Sequence, residues 1–136
     1  DNEEKTSTEQ SKTRWAIAPD WFPQNNRSIS PLIQHYLCPK CAKQLSTEEK
    51  ENSPEALMST IKECCSQAPD FITERLPILE SIFRFFLANG NLPLALEELG
   101  KQLSELRGGD PYRTSPETLT RLLKSDRYYG LQEVQS

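Results

Sequence analysis

Hydrophobic positions recur at helical spacing through most of the chain after Pro31, and most densely between Pro77 and Asn89. There Ile78, Leu79, Ile82, Phe83, Phe86 and Leu87 fall on one wide apolar stripe, which predicts a buried helix over 77–89. Asn89-Gly90-Asn91 stops it, with Gly90 suited to a left-handed cap. Leu92-Pro93-Leu94 reads as an extended link. A second helix, 95–106, places Leu96, Leu99, Leu103 and Leu106 on one face. Gly108-Gly109-Asp110-Pro111 breaks the chain again. A third helix, 115–125, turns Leu119, Leu122 and Leu123 inward and Thr118, Arg121 and Lys124 outward, as Arg113 is just before it. Tyr128–Val134 then predicts a short terminal strand.

The first half is less regular. Residues 1–12 carry four acids and two lysines with no large apolar residue, and predict a disordered tail. Trp15, Ile17, Trp21 and Phe22 sit around Pro19 and Pro23, which forbid a continuous helix and predict an irregular aromatic arm packed on a neighbour. Ser30-Pro31, Ser53-Pro54 and Ser115-Pro116 share one helix-start signature, a capping hydroxyl followed by proline at the first helical position. The first opens a short helix over 31–37. The second opens a helix over 54–66 that carries Leu57, Met58 and Ile61. Residues 46–52 read as a loop. The pattern therefore divides the chain into a tail (1–12), an arm with a helical unit (13–69) and a second helical domain (70–136), mostly α throughout.

All four cysteines lie in two close pairs, Cys38-Pro39-Lys40-Cys41 and Cys64-Cys65. Four thiolates suit one tetrahedral ion, so Cys38, Cys41, Cys64 and Cys65 are the candidate ligands of a structural Zn2+. Adjacent cysteines on a continuous helix point apart, so both ligate only if the helix ends between them. Otherwise His35, three residues before Cys38, supplies the fourth ligand in place of Cys64 or Cys65. The other readings are reduced structural thiols, a disulfide, or a redox pair. A redox pair needs a helix N-terminus beside a strand, and no βαβ pattern surrounds this motif. The Cys-Pro-Lys-Cys segment resembles a zinc knuckle, with Ala42 where a glycine often follows the second cysteine.

Composition narrows the function by exclusion. Hydrophobic residues make up 35% of the 136, which is low for a fully packed chain, and net charge is −4. No apolar run approaches the length of a membrane span. The polar start has no signal segment, and beginning at Asp1 it reads as a fragment or processed product. The knuckle points to a reducing, cytoplasmic setting. With a single histidine and no glycine-rich phosphate loop, the chain predicts no enzyme and no small-molecule substrate. Glu97-Glu98 fall in the first turn of a helix, where carboxylates favour the helix dipole.

Residues 77–134 resemble the winged helix-turn-helix superfamily. The resemblance is carried by the long apolar helix, by Asn89-Gly90-Asn91-Leu92-Pro93-Leu94-Ala95-Leu96-Glu97-Glu98-Leu99, and by Ser115-Pro116-Glu117-Thr118-Leu119-Thr120-Arg121-Leu122-Leu123. These stretches are similar to the first helix, the short strand with the second helix, and the recognition helix. Tyr128–Val134 would begin the wing, although little chain follows Val134 to complete it. The resemblance implies a domain that binds DNA through its third helix. Ser115, Thr118, Thr120 and Arg121 would then meet base edges, and Arg113, Lys124 and Arg127 would meet phosphates. Winged helices also dock proteins. The charge is modest: residues 111–127 balance four basic against two acidic side chains, while 70–110 hold seven acids against four bases. DNA and a protein are thus both expected partners.

Overall fold

The computed structural model describes residues 13–47, 53–108 and 111–134. These are mostly helical and carry one small antiparallel sheet. The predicted tail over 1–12 lies outside the described residues. So does most of the predicted loop over 46–52; its first two residues are not loop but the end of the helix Pro39–Thr47.

The aromatic arm is not irregular. Arg14–Ile17 forms strand β1, with Trp15, Ala16 and Ile17 buried. A half-turn follows, then the four-residue helix α1, Trp21–Gln24, with Phe22 1% exposed. Helix α2 spans Ile29–His35 and helix α3 spans Pro39–Thr47. Helix α4, Pro54–Glu63, begins as the Ser-Pro signature predicts, with the Ser53 hydroxyl accepting the Ala56 amide at 3.2 Å. Helix α2 departs from that signature. It starts at Ile29 with Ser28 as the preceding residue, which puts Pro31 at the third helical position. Proline is tolerated there because amides of the first turn have no intrahelical partner.

Helices α5 (Ile78–Ala88), α6 (Leu96–Arg107) and α7 (Pro116–Ser125) follow the predicted spans closely. Their apolar faces meet, with Ile82, Phe83, Phe86, Leu99, Leu103 and Leu119 fully buried. Gly100 lies where the Thr114 carbonyl approaches α6 so closely that a Cβ would collide with it. Leu122, predicted inward with Leu119 and Leu123, is only half-buried and lies outside the core cluster, and one predicted core position fails outright. Leu106 is 51% exposed and the next residue, Arg107, is 8% exposed instead. The Arg107 guanidinium donates to the Leu76 carbonyl at 2.6 Å, the Ser81 hydroxyl at 2.7 Å and the Glu74 carbonyl at 3.1 Å. Two carbonyls of the 73–77 turn and the Ser81 hydroxyl outweigh a leucine's apolar gain, because burying them unpaired costs more. Burial also lowers the Arg107 pKa.

Strand β2 is Leu94–Ala95 and strand β3 is Leu131–Val134. The sheet order is β2-β1-β3, both pairs antiparallel, with Ile17 opposite Leu131 and Trp15 opposite both Glu133 and Leu94. The predicted terminal strand is present over Leu131–Val134, and its partner is the distant segment Arg14–Ile17. Asn91 extends the β2 side. Its backbone is left-handed (φ 61°), and its side-chain amide accepts from the Ile17 amide and donates to the Ile17 carbonyl, both at 2.9 Å. A single apolar core runs from Trp15 through Ile33, Leu57 and Phe83 to Leu131, so 13–69 and 70–136 share one interior. No helix among the described residues is long and apolar enough to cross a membrane.

Asn91→Ala removes both hydrogen bonds to Ile17 and strains a left-handed position. It is expected to destabilise the protein by about 1–3 kcal/mol in urea unfolding, with Asn91→Asp, which keeps the acceptor, falling between.

Candidate functional site

The cysteine cluster is built where three helix ends meet. Helix α2 closes with the Tyr36 amide donating to the Ile33 carbonyl at 2.9 Å, and the chain turns at Leu37. Cys38 stands immediately before α3, whose first residue is Pro39, and the Ala42 amide donates back to the Cys38 carbonyl at 2.9 Å. The Cys-x-x-Cys segment is therefore a helix start. Proline at the first position and alanine after Cys41 carry the chain on as helix, where a knuckle's glycine would turn it aside.

The second pair meets the condition that adjacency imposes. Helix α4 ends at Glu63, and Cys64 occupies the C-cap with φ −125° and ψ −63°. Cys65 already begins a 3-10 turn, Cys65–Gln67. The break in helical geometry brings the Cys64 thiol into the group and leaves Cys65 beside it. The sulfurs of Cys38, Cys41 and Cys64 lie within 4.8 Å of one another and could hold a metal ion. Cys65 adjoins this group. Its sulfur accepts the Cys38 amide at 3.1 Å and contacts the Cys38 and Cys41 thiols.

The thiols differ in environment. The Cys41 backbone amide, pointing at the Cys38 sulfur, draws the Cys38 thiol down to about 7. Burial pushes the Cys41 and Cys65 thiols up. Three grouped soft donors, with no carboxylate or imidazole among them and Cys65 beside them, suit a thiophilic cation. Redox chemistry of the thioredoxin type lacks its second requirement, because the element before Cys38 is helix α2 and not a strand.

His35 is not part of the group. It is exposed at the end of α2, packs edge-on against Tyr36 with ring centroids 5.2 Å apart, and lines a separate cleft. Tyr36 itself ties the cluster to the rest of the molecule. It is buried, hydrogen-bonded to Tyr129, and covered by the Arg84 guanidinium 4.7 Å from its ring. Burial raises the pKa of both tyrosines. Arg84 also donates to the Phe71 carbonyl at 2.9 Å and pairs with Glu80 at 3.1 Å.

The candidate nucleic-acid residues lie together along α7 and its flanks. Arg113, Arg121, Lys124 and Arg127 are exposed. The hydroxyls on the helix have local roles. Ser115 caps α7, accepting the Thr118 amide at 3.3 Å and donating to the Thr118 hydroxyl at 3.1 Å, and Thr120 donates to the Pro116 carbonyl at 2.7 Å. Arg127 bends back, donating to the Asp126 carbonyl at 2.8 Å and the Lys124 carbonyl at 3.2 Å. Two residues that the sequence reading missed organise this end. Asp126 is buried, and its carboxylate accepts the amides of Tyr128, Tyr129 and Leu131 at 3.0, 3.0 and 3.1 Å, which fixes the path from α7 into β3. Arg27, from the first half, donates to the Arg127 carbonyl at 3.1 Å. An aspartate directly after a helix followed by two tyrosines and a glycine was the available signal for the first; Arg27 had none.

No family model, curated protein or solved structure matches the chain.

Cobalt(II) is expected to bind one ion per chain with thiolate charge-transfer bands. Cys41→Ser should weaken binding by more than the roughly 10–100-fold typical of losing an outer-shell partner. His35→Ala should leave both affinity and spectrum unchanged.

Proposed function

We propose that the protein is a small, non-catalytic DNA-binding regulator of winged-helix type, held together by a structural Zn2+ on Cys38, Cys41, Cys64 and Cys65. The observation that carries this reading is the sheet order β2-β1-β3. A winged helix needs a returning strand beside the one that leaves the third helix. Strand β1 runs antiparallel to β3 between it and β2, the place that a returning wing strand would fill. In this reading the wing is assembled from two segments far apart in sequence, and its open tip lies where Arg14 faces Val134.

Helix α7 then reads DNA. Leu119 and Leu123 anchor it to the core, leaving Arg121 and Lys124 directed outward. Arg113 and Arg127 flank it for phosphates. Arg27 strengthens the modest local charge from outside the domain's own sequence. Ser115, Thr118 and Thr120 support the helix, and Arg121 is the principal base reader. The zinc acts by folding: ligand binding and the local structure of residues 31–66 are one free energy.

A second reading, docking to a protein, is favoured by one feature. A cleft of about 590 Å³ lies between the 66–72 segment, α5 and α6, lined by Phe71, Ile72, Phe85 and the half-exposed Leu106.

Binding of a random-sequence duplex, followed by fluorescence anisotropy at several salt concentrations, separates these. Arg121→Ala with Lys124→Ala is expected to weaken binding and reduce the salt slope by about 1–2. Unchanged affinity in that double variant, or no binding by the parent protein at low salt, contradicts the DNA reading.

A further inference from the structure

The cleft that receives His35 is separate from the cysteine cluster and has the makings of a ligand site. Its volume is about 510 Å³, inside the roughly 300–1,000 Å³ typical of small-molecule pockets. Phe22, Pro31 and Leu32 give it an apolar wall. Arg27, Ser28, His35 and Tyr128 supply the polar groups, and no carboxylate lines it.

The cationic group is held in place. The Arg27 guanidinium is tied to the Arg127 carbonyl at 3.1 Å, and its carbon stands 5.6 Å from the Trp21 ring centre and 5.4 Å from that of Tyr128. Two aromatic faces and one hydrogen bond fix a charge whose remaining donors are directed by the planar fork. The wall behind it is equally constrained. Gly130 has a positive φ of 65°, and a Cβ there would lie 2.7 Å from the Phe22 ring. The Asp126 carboxylate holds the Tyr128 and Tyr129 amides at 3.0 Å. A preformed cleft avoids the ordering cost that a mobile one would bring to binding.

We propose that this cleft binds an aromatic anion, its ring against Pro31, Leu32 and Tyr128 and its acid group against Arg27 and His35. A carboxylate, sulfonate or phosphate on a flat apolar body matches the lining. The inference does not depend on the DNA reading or on the metal.

The test uses the full chain and two fluorescent probes that share one ring system, anionic 1-anilinonaphthalene-8-sulfonate and its uncharged analogue N-phenyl-1-naphthylamine. The parent protein should bind the sulfonate one-to-one and at least about tenfold more tightly than the neutral probe, as a charge-assisted contact implies. Arg27→Gln, which keeps a donor for the Arg127 carbonyl but removes the charge, should erase that preference while leaving the neutral probe's affinity. Leu32→Trp, which fills the cleft, should reduce both. Displacement of the sulfonate by adenosine 5′-monophosphate would place the natural ligand among nucleotides, and displacement by naphthalene-1-carboxylate alone would place it among free aromatic acids. Equal affinity for the two probes in the parent protein, a preference that survives Arg27→Gln, or displacement by neither competitor overturns the proposal.

Discussion

The hydrogen-bonded placement of Arg14–Ile17 between two strands from the far end of the chain is the constraint on which the fold depends. Strand β2 has two residues and β3 has four, and they are not neighbours in the sheet. Neither would persist alone, since isolated pairs of strands are marginal in water. Strand β1 satisfies both, and Asn91 continues the ladder through its side chain where β2 ends. Burial of Trp15 and Ile17 beneath the sheet adds the apolar gain that offsets ordering the segment.

That placement brings the cysteine-bearing helices onto the core of the second half. The chain leaving β1 passes through α1 into α2, and α2 packs on α4. Tyr36 at the end of α2 meets Phe83 of α5 with ring centroids 5.7 Å apart, and Phe83 meets Tyr129 at 5.1 Å. Arg84 spans Tyr36 and Phe71 from the same helix. The thiols of Cys38 and Cys65 are therefore set by packing that begins at the sheet. A metal bound there would reinforce a geometry already approached, and the same packing positions the cleft beside Arg27 and the path out of α7.

The helices were legible because their signals are local. The 3.6-residue stripe of Ile78–Leu87, and the Ser53 and Ser115 hydroxyls before proline, depend on residues within a few turns. Of the cysteine pairs, Cys38, Cys41 and Cys64 come together as a possible ligand group while Cys65 stands beside it; where the helix ends, at Glu63, decides this, and adjacency alone could not settle it. The role of 14–17 was not legible. Arg-Trp-Ala-Ile next to Pro19 has no alternating pattern, because the strand is covered over three consecutive residues and its partners are about 80 to 120 residues away. Leu106 misled for a related reason. Periodicity places a leucine inward, but it cannot see that carbonyls of the 73–77 turn converge on the next position and recruit Arg107.

Strand β1 is the middle of the sheet. Nuclear Overhauser contacts in the metal-loaded full chain test it most directly. Cross-strand contacts of Ile17 with Leu131 and of Ala16 with Gln132, together with Trp15 to Leu94, are the expected result. Random-coil shifts for residues 14–17, or cross-strand contacts of 131–134 with any other segment, would contradict it.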